Sequence, residues 1–430
     1  MILAVTLALL AMPASAQPTE PAAAAQLRRL LGSDVTLSFA TATATDVQGS
    51  AAFTAMVLTK GTEIVRVAEA RLDGLRDDGI ARLSLRGITI EGAPMPIALD
   101  RLDLEGLTVR RPGPGQKPVP DSFTADLLRL ENWRSGGDSP VNVGAINIEN
   151  YGTGRTGQAT MTALEVGLQG AGPVDRVTIA RVAYSGLDAA ELLTALVAQR
   201  PPVTAPGRSS LDIEGVTVSQ GGTAVARLGA FAMRGEITPG RPHSGSVALR
   251  GLEVNPSPPH AEWMQRLGYA SLRAEARLDA THDVPARVFD LSEFSFELRE
   301  AGELHFSLRA DNVPEGMSEQ QRQSMRLVSA RLRYADLSLF QRWVRAQAAQ
   351  QRIAEPALRQ SLIQQSDAML PGPTLADARN AMQRFLRGEA TVLELSASPS
   401  APLSLSQITG KPQSSLAGWQ RMLGLTLTAR

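Results

Sequence analysis

The sequence predicts a mainly β protein of the α+β type, built from repeated antiparallel meanders with curled sheets, with helices after each meander and a helical segment near the C-terminus. Three observations predict it. Apolar and polar residues alternate over most of the chain, turns rich in Gly, Asp and Pro separate these stretches, and one eight-residue phrase recurs. The phrase has Ile, Leu or Val at its first, third, sixth and eighth positions and Gly at its fifth; a chain of this length should contain about 0.1 such phrases by chance.

The phrase occurs at residues 83–90, 102–109, 211–218 and 247–254, with its glycine at Gly87, Gly106, Gly215 and Gly251. In each copy the apolar positions change parity at the glycine. Since side chains alternate between the two faces of a strand, a regular strand would bury one apolar pair and expose the other. A β-bulge at the glycine would add one residue, return both pairs to one face and bend the sheet towards a trough. The alternative is a strand buried on both faces.

The remaining elements follow in order along the chain. We expect a short helix around residues 26–31, a meander that continues to Val109, and a proline-rich loop over 110–120. A helix is expected to start with Asp121 as its N-cap, since apolar residues follow at helix-like spacing. Those residues are Phe123, Leu127, Leu130 and Trp133.

Strands are expected again between residues 141 and 184, followed by a helix over 188–199 whose apolar stripe should face a core. The stripe consists of Leu192, Leu193, Leu196 and Val197. A second β run covers 211–334, and 338–388 is expected to be helical, with Gly388 as its stop, before short strands return.

Tyr184 and Tyr334 each stand at the end of a strand and lead into a helix, which suggests a duplicated unit. A strand-end aromatic that covers the first helical turn and a ligand-facing side chain are both compatible with this position. With the proline-rich boundary at 201–206, the predicted organisation is a signal peptide (1–16), a first β-meander unit with helices (17–200), a second β-meander unit (201–337) and a helical segment with terminal strands (338–430).

Residues 1–11 are apolar and precede an Ala-x-Ala site, which predicts a secretory signal peptide cleaved between Ala16 and Gln17 and a periplasmic location. No Lys or Arg precedes the apolar stretch, so either the terminal amine supplies the charge or the true start codon lies upstream. No other window approaches eighteen apolar residues, so we expect no integral membrane span. The absence of Cys excludes disulfides, thiolate metal ligands and a lipid-anchored cysteine.

Composition and motifs point away from nucleic acid and from catalysis. Lys+Arg and Asp+Glu both number 43, and only 4% of residues are aromatic. Gly152–Gly157 matches Gly-x-Gly-x-x-Gly, but a strand-like segment follows it, so we expect a hairpin loop. No zinc or nucleophile motif occurs. Of the histidines, His243, His260 and His282 are expected in loops and His305 in a strand. We therefore predict no enzyme, no cofactor and no metal.

The repeated phrase and the scarcity of aromatics between Val35 and Tyr334 resemble the AsmA-like and related uncharacterised envelope proteins of Gram-negative bacteria. The stretch 385–405 resembles the tail of exported alphaproteobacterial proteins. The resemblance implies a lipid-holding groove and a role in outer-membrane lipid homeostasis. AsmA-like proteins are usually longer and membrane-anchored, whereas for this chain we expect a cleavable signal and no anchor.

We therefore expect a non-enzymatic periplasmic protein that binds a lipid, another apolar ligand or an envelope partner along a concave sheet face. The alternative is a structural or interaction module with an ordinary filled core. The sequence does not predict the oligomeric state.

Overall fold

The computed structural model describes most of the chain after residue 20. The described residues are 21–32, 34–44, 49–93, 95–110, 122–169, 173–200, 203, 205–257, 261–314, 323–410 and 415–430. The predicted signal peptide with its cleavage site at Ala16 and Gln17, the loop 111–120 and His260 lie outside these residues.

Antiparallel strands dominate the described residues, which confirms the predicted fold class. The strands are β1 Thr36–Ser38, β2 Thr41–Ala44, β3 Ala51–Lys60, β4 Glu63–Arg76, β5 Gly79–Glu91, β6 Ile97–Val109, β7 Phe123–Ser135, β8 Val141–Tyr151, β9 Gly157–Gly167, β10 Arg176–Leu187, β11 Gly207–Gln220, β12 Thr223–Ile237, β13 His243–Val254, β14 Leu272–Asp283, β15 Val288–Leu298, β16 Gly302–Asp311, β17 Arg326–Asp336, β18 Val392–Ala397, β19 Leu403–Ser404 and β20 Leu425–Ala429.

Eight α-helices have described bounds, and five of them lie between β17 and the last strand; three of these five lie within residues 338–388, the region that the sequence predicted to be helical. The helices are α1 Ala22–Leu31, α2 Ala189–Val197, α3 Ala261–Leu267, α4 Leu339–Gln351, α5 Glu355–Met369, α6 Ala376–Arg387, α7 Leu405–Gly410 and α8 Leu416–Leu423. Local interactions define the start of α2 and the end of α6. The carboxylate of Asp188 accepts a hydrogen bond from the Glu191 amide at the start of α2, and Gly388, at φ +80°, ends α6.

The chain forms two compact units. Unit 1 comprises the described residues up to Ala205 together with Ser209–Thr223, and unit 2 comprises Pro206–Arg208 and Ala224–Arg430. In unit 1, β3 to β11 pair in sequence order as one antiparallel meander, and β1 and β2 lie end to end along β3. In unit 2, β12 to β18 also pair in order, β20 pairs with β18, and β19 pairs with the first two residues of β17, beyond the end of β18.

Left-handed residues in unit 1 form two lines that run across the sheet from strand to strand. In the first line, Ala55 lies opposite Ala68, and Ala68 lies opposite Gly87. The line continues through Asn132 and Ala163 to β11, and we name it the first flip line. Residues with positive φ occur in it on alternate strands, and their values lie between +48° and +64°. These residues are Ala55, Gly87, Asn132, Ala163 and Gly215.

The second flip line lies six residues away along each strand, and positive φ falls on the strands that the first line skips. Its left-handed residues are Gly74, Gly106, Asn150 and Gly186. Where a flip line crosses two paired strands, the alternation of side chains between the two faces of the sheet skips one position in both strands. Apolar residues before and after the line therefore lie on the same face of the sheet.

The core of unit 1 demonstrates this effect. Leu85 and Ile88, on either side of Gly87, are both buried in one apolar cluster, and Leu104 and Leu107 flank Gly106 in the same cluster. Strand register is unchanged across Gly87 and Gly106, so these glycines insert no residue relative to their neighbours. A one-residue shift of the kind expected for an inserted residue occurs at Gly251, between Leu249 and Leu252.

Residues 123–135 form strand β7, so the helix predicted after Asp121 is wrong. The two flip lines cross β7 at Asp126 and Asn132, and they convert strand alternation into steps of three, two and three residues. The inward residues are consequently Ala125, Leu128, Leu130 and Trp133. This spacing imitates the apolar stripe of a helix, although every residue belongs to an extended strand.

Candidate ligand-binding face

One face of the unit 2 sheet carries an unbroken row of apolar side chains. Register pairs residues directly across β12 to β18, and directly paired residues point to the same face. The row consists of Met233, Val247, Leu278, Phe294, Phe306, Leu332 and Leu395. A second row lies beside it and consists of Phe231, Leu249, Ala276, Phe296 and Leu304. We name these two rows the open apolar face.

The open apolar face remains accessible to solvent. Four of its side chains keep more than a third of their surface: Met233 is 41% exposed, Phe296 and Leu332 are each 37% exposed, and Leu395 is 38% exposed. The other members are only half-buried. Contiguous apolar surface is rare on soluble monomers unless it binds something, so this face is the strongest candidate for a binding surface.

The opposite face of the same strands is charged and internally neutralised. Arg273 lies 3.2 Å from Glu253, and Arg331 lies 2.7 Å from Glu394 on the neighbouring strand. Glu394 accepts a hydrogen bond from Arg331, and this bond holds its pKa below the usual range. Paired charges thus cover one face of these strands, and apolar side chains cover the other.

C-terminal helices cover one end of the open apolar face. Helix α6 packs on β18 and β20, where Ala381, Leu393 and Leu427 belong to one small cluster. Beyond it, the ring of Phe385 lies 6.1 Å from that of Tyr334. Leu332 and Leu395 lie one row away and remain exposed, so the helices close the end of the face and leave its length open.

The apolar face of unit 1 differs along the sheet. Its side chains on β3 to β7 form a filled core with α1, in which Phe53, Val67 and Leu72 are almost completely buried. On β9 to β11 every described side chain is at least partly exposed, including Met161 and Ile179. The part of unit 1 from β3 to β7 therefore has the filled core of the alternative hypothesis, whereas the apolar side chains of β9 to β11 are only partly covered.

Tyr184 and Tyr334 occupy equivalent junctions in their own units. Tyr184 lies in β10 opposite Leu211, and burial, followed by the charge of Asp188, raises its pKa. Tyr334 lies in β17, and its hydroxyl donates a 2.8 Å hydrogen bond to Asp336. Burial and then that hydrogen bond raise the pKa of Tyr334. Asp336 also accepts from the Phe340 amide at 2.7 Å, so this junction fixes the start of α4.

Helix α2 exposes the apolar stripe that the sequence was expected to bury. Leu196 and Val197 are 74% and 70% exposed, and Leu192 and Leu193 are also exposed. The buried residues of α2 are Ala190 and Ala195, on its opposite side. Amphipathic spacing identified the helix correctly, but its buried side chains are the small alanines and not the leucines.

The other motifs behave as structural elements. Gly152–Gly157 connects β8 to β9, and the amide of Gly154 donates to Asp188, so the dinucleotide-like motif is a hairpin loop as predicted. Gly87, Gly106, Gly215 and Gly251 all have φ between +59° and +64°. They shape the apolar faces and contribute no functional group to them.

The histidines lie in strands more often than the sequence indicated. His243 begins β13 and His282 lies in β14 directly opposite it, so the loop assignment of both is wrong. His305 lies in β16 with its ring 3.7 Å from Glu303 on the charged face. In the part of the chain that the structure describes, no group of three or more His, Cys, Asp or Glu could hold a metal ion.

Comparisons with known proteins add little to this geometry. A family model described as an uncharacterized protein matches residues 295–430, from within β15 to the last residue. No curated protein matches the chain. Among the helices that the structure describes, none combines the length and apolarity needed to cross a membrane.

Proposed function

We propose that this chain is a non-enzymatic protein of the periplasm that holds a lipid, or a ligand with similar hydrocarbon chains, against the open apolar face. The observation that carries the proposal is that Met233, Phe296, Leu332 and Leu395 are exposed and belong to one continuous apolar face. The predicted signal peptide supports a periplasmic location. The resemblance to AsmA-like proteins supports a lipid as the occupant.

The dimensions of the face suit hydrocarbon chains. Strands lie about 4.8 Å apart, so the seven strands β12 to β18 span roughly 29 Å. One acyl chain accounts for about half of a bilayer core of ~30 Å and would cross three or four strands. Each buried CH₂ contributes about 0.8 kcal/mol, so every acyl chain that lies along the face adds to the affinity.

Protein purified from its own cell envelope without detergent tests the proposal. Native mass spectrometry and lipid extraction should find a co-purifying lipid in the wild type. We expect Phe296→Glu and Leu332→Glu each to lower lipid content at least tenfold, because a carboxylate then replaces an apolar contact at a cost of about 2 kcal/mol or more. Both side chains are already partly exposed, so folding should survive.

Ser295→Glu and Ser396→Glu are the matched controls. Ser295 precedes Phe296 and Ser396 follows Leu395, and strand alternation places both serines on the charged face. Both controls should keep the lipid. Lipid-free wild-type protein, or a lipid content that Phe296→Glu and Leu332→Glu leave unchanged, would overturn the proposal.

The exposed stripe of α2 favours a second candidate, a module that binds an envelope protein. In that case a protein should co-purify, and Leu196→Glu should release it while Phe296→Glu does not. Leu196 is 74% exposed and belongs to unit 1, so this variant leaves the open apolar face intact.

A further inference from the structure

Two histidines from different strands meet on the apolar side of unit 2. His243 and His282 are directly paired between β13 and β14, and their ring centroids lie 6.4 Å apart at an interplanar angle of 90°. His282 is also paired with Phe289, and all three side chains are half-buried. The pair therefore interrupts an apolar row with two imidazoles.

The hydrogen bond of His282 indicates the tautomer of its neutral ring. Its Nε2 lies 3.3 Å from the carbonyl oxygen of Val313, which is buried. A carbonyl oxygen only accepts, so Nε2 carries the hydrogen and Nδ1 of the neutral ring has a free lone pair. Among the described residues, His243 has no hydrogen-bond partner, so its ring nitrogens are available as well.

We propose that His243 and His282 together chelate a divalent transition-metal ion of the Zn²⁺, Ni²⁺ and Cu²⁺ class, with water at the remaining positions. An ion 2.0–2.1 Å from one nitrogen of each ring holds the two centroids about 5 to 6 Å apart. A small side-chain rotation closes the observed 6.4 Å to that range. Residues directly opposite each other on one sheet face are close enough for both side chains to bind the same ion.

The surroundings favour imidazole-binding metals over Ca²⁺ and Mg²⁺. The carboxylates nearest to His282 in sequence, Asp279 and Asp283, alternate to the charged face, so the pair offers nitrogen ligands and water. The bond from His282 to the Val313 carbonyl has the form that orients metal-binding histidines in proteins, in which the second ring nitrogen donates to a fixed oxygen.

Calorimetric titration of the untagged full-length protein with ZnCl₂ and with NiCl₂ tests the site. The wild type should bind one equivalent, and His243→Ala or His282→Ala should each lower the association constant at least tenfold. His305→Ala and His260→Ala are matched controls and should bind as the wild type does.

A thermal-shift measurement provides a second readout. Zn²⁺ should raise the Tm of the wild type and of His305→Ala, and it should leave that of His243→Ala unchanged. If His282→Ala unfolds because it loses the Val313 bond, His243→Ala, which breaks no described hydrogen bond, decides the question. No binding by the wild type at about 1 mM metal, or affinity that both alanine variants retain, would overturn the proposal. Neither result depends on whether the open apolar face holds a lipid.

Discussion

Gly87→Ala should destabilise unit 1 far more than the same substitution at Gly61. The two glycines share a φ of +59°, but their surroundings differ. A Cβ on Gly61 has nothing within 4 Å, whereas a Cβ on Gly87 would lie 2.9 Å from the Cβ of Ala68 on β4. The pair therefore separates the cost of the left-handed conformation from the cost of close approach between strands.

The expected magnitudes follow from these two terms. A left-handed alanine costs about 1–2 kcal/mol, which is the whole effect at Gly61. Gly87→Ala adds the overpacking of two methyl groups, typically about 1–3 kcal/mol, so its total should reach roughly 2–5 kcal/mol. Ala68→Gly in the Gly87→Ala background should recover most of the second term, since it removes the opposing methyl group.

Urea unfolding followed by the fluorescence of Trp133 measures these differences. Trp133 packs against the unit 1 core, and the other three tryptophans, Trp263, Trp343 and Trp419, all lie in unit 2 and can be replaced by Phe. A loss of roughly 2–5 kcal/mol should lower the urea midpoint by about 1–2 M. Equal midpoints for Gly87→Ala and Gly61→Ala would refute the idea that the flip line is a tightly packed seam.

Three further predictions test other parts of the structure. Ala163→Gly should stabilise unit 1 by up to about 1 kcal/mol in the same urea assay, because Ala163 is held at φ +53°; destabilisation would contradict the assigned conformation. The hydrogen bond from Arg200 lowers the pKa of Glu191 to about 2, so its stabilising effect on α2 should persist above pH 4.5 and disappear as the pH falls towards 2. In Arg200→Gln, NMR titration should show that pKa rising towards its usual value, and an unchanged titration would exclude the pairing. Tyr334→Phe should cost about 1 kcal/mol, and Asp336→Ala should cost more because it also removes the hydrogen bond at the start of α4; equal losses on urea unfolding would show that this bond adds nothing.

Much of the β architecture was predictable because the flip lines leave a mark in the sequence where they fall on glycine. Gly87, Gly106 and Gly215 on the flip lines, like Gly251 at its one-residue register shift, sit between apolar pairs of opposite parity, and all four proved left-handed. Where the line falls on Ala55 or Ala163, no residue type reveals it. In β7 two crossings turned strand spacing into apparent helical spacing, which explains the wrong helix.

Contacts between distant segments could not be predicted from local pattern. The pairing of His243 with His282 depends on strand register, which is set by many cross-strand contacts and not by the residues next to either histidine. Which side of α2 is buried likewise depends on tertiary contacts. Periodicity located its leucine stripe, but the buried positions are Ala190 and Ala195.

Photo-crosslinking in the native envelope tests the proposed lipid face most directly. p-Benzoylphenylalanine placed at Phe296 should capture a lipid, detected as a mass adduct, because this side chain is 37% exposed on the open apolar face. The same probe at Ser295, one residue away on the charged face, should capture none. Absence of a lipid adduct at both positions, or equal adducts at the two, would contradict the account.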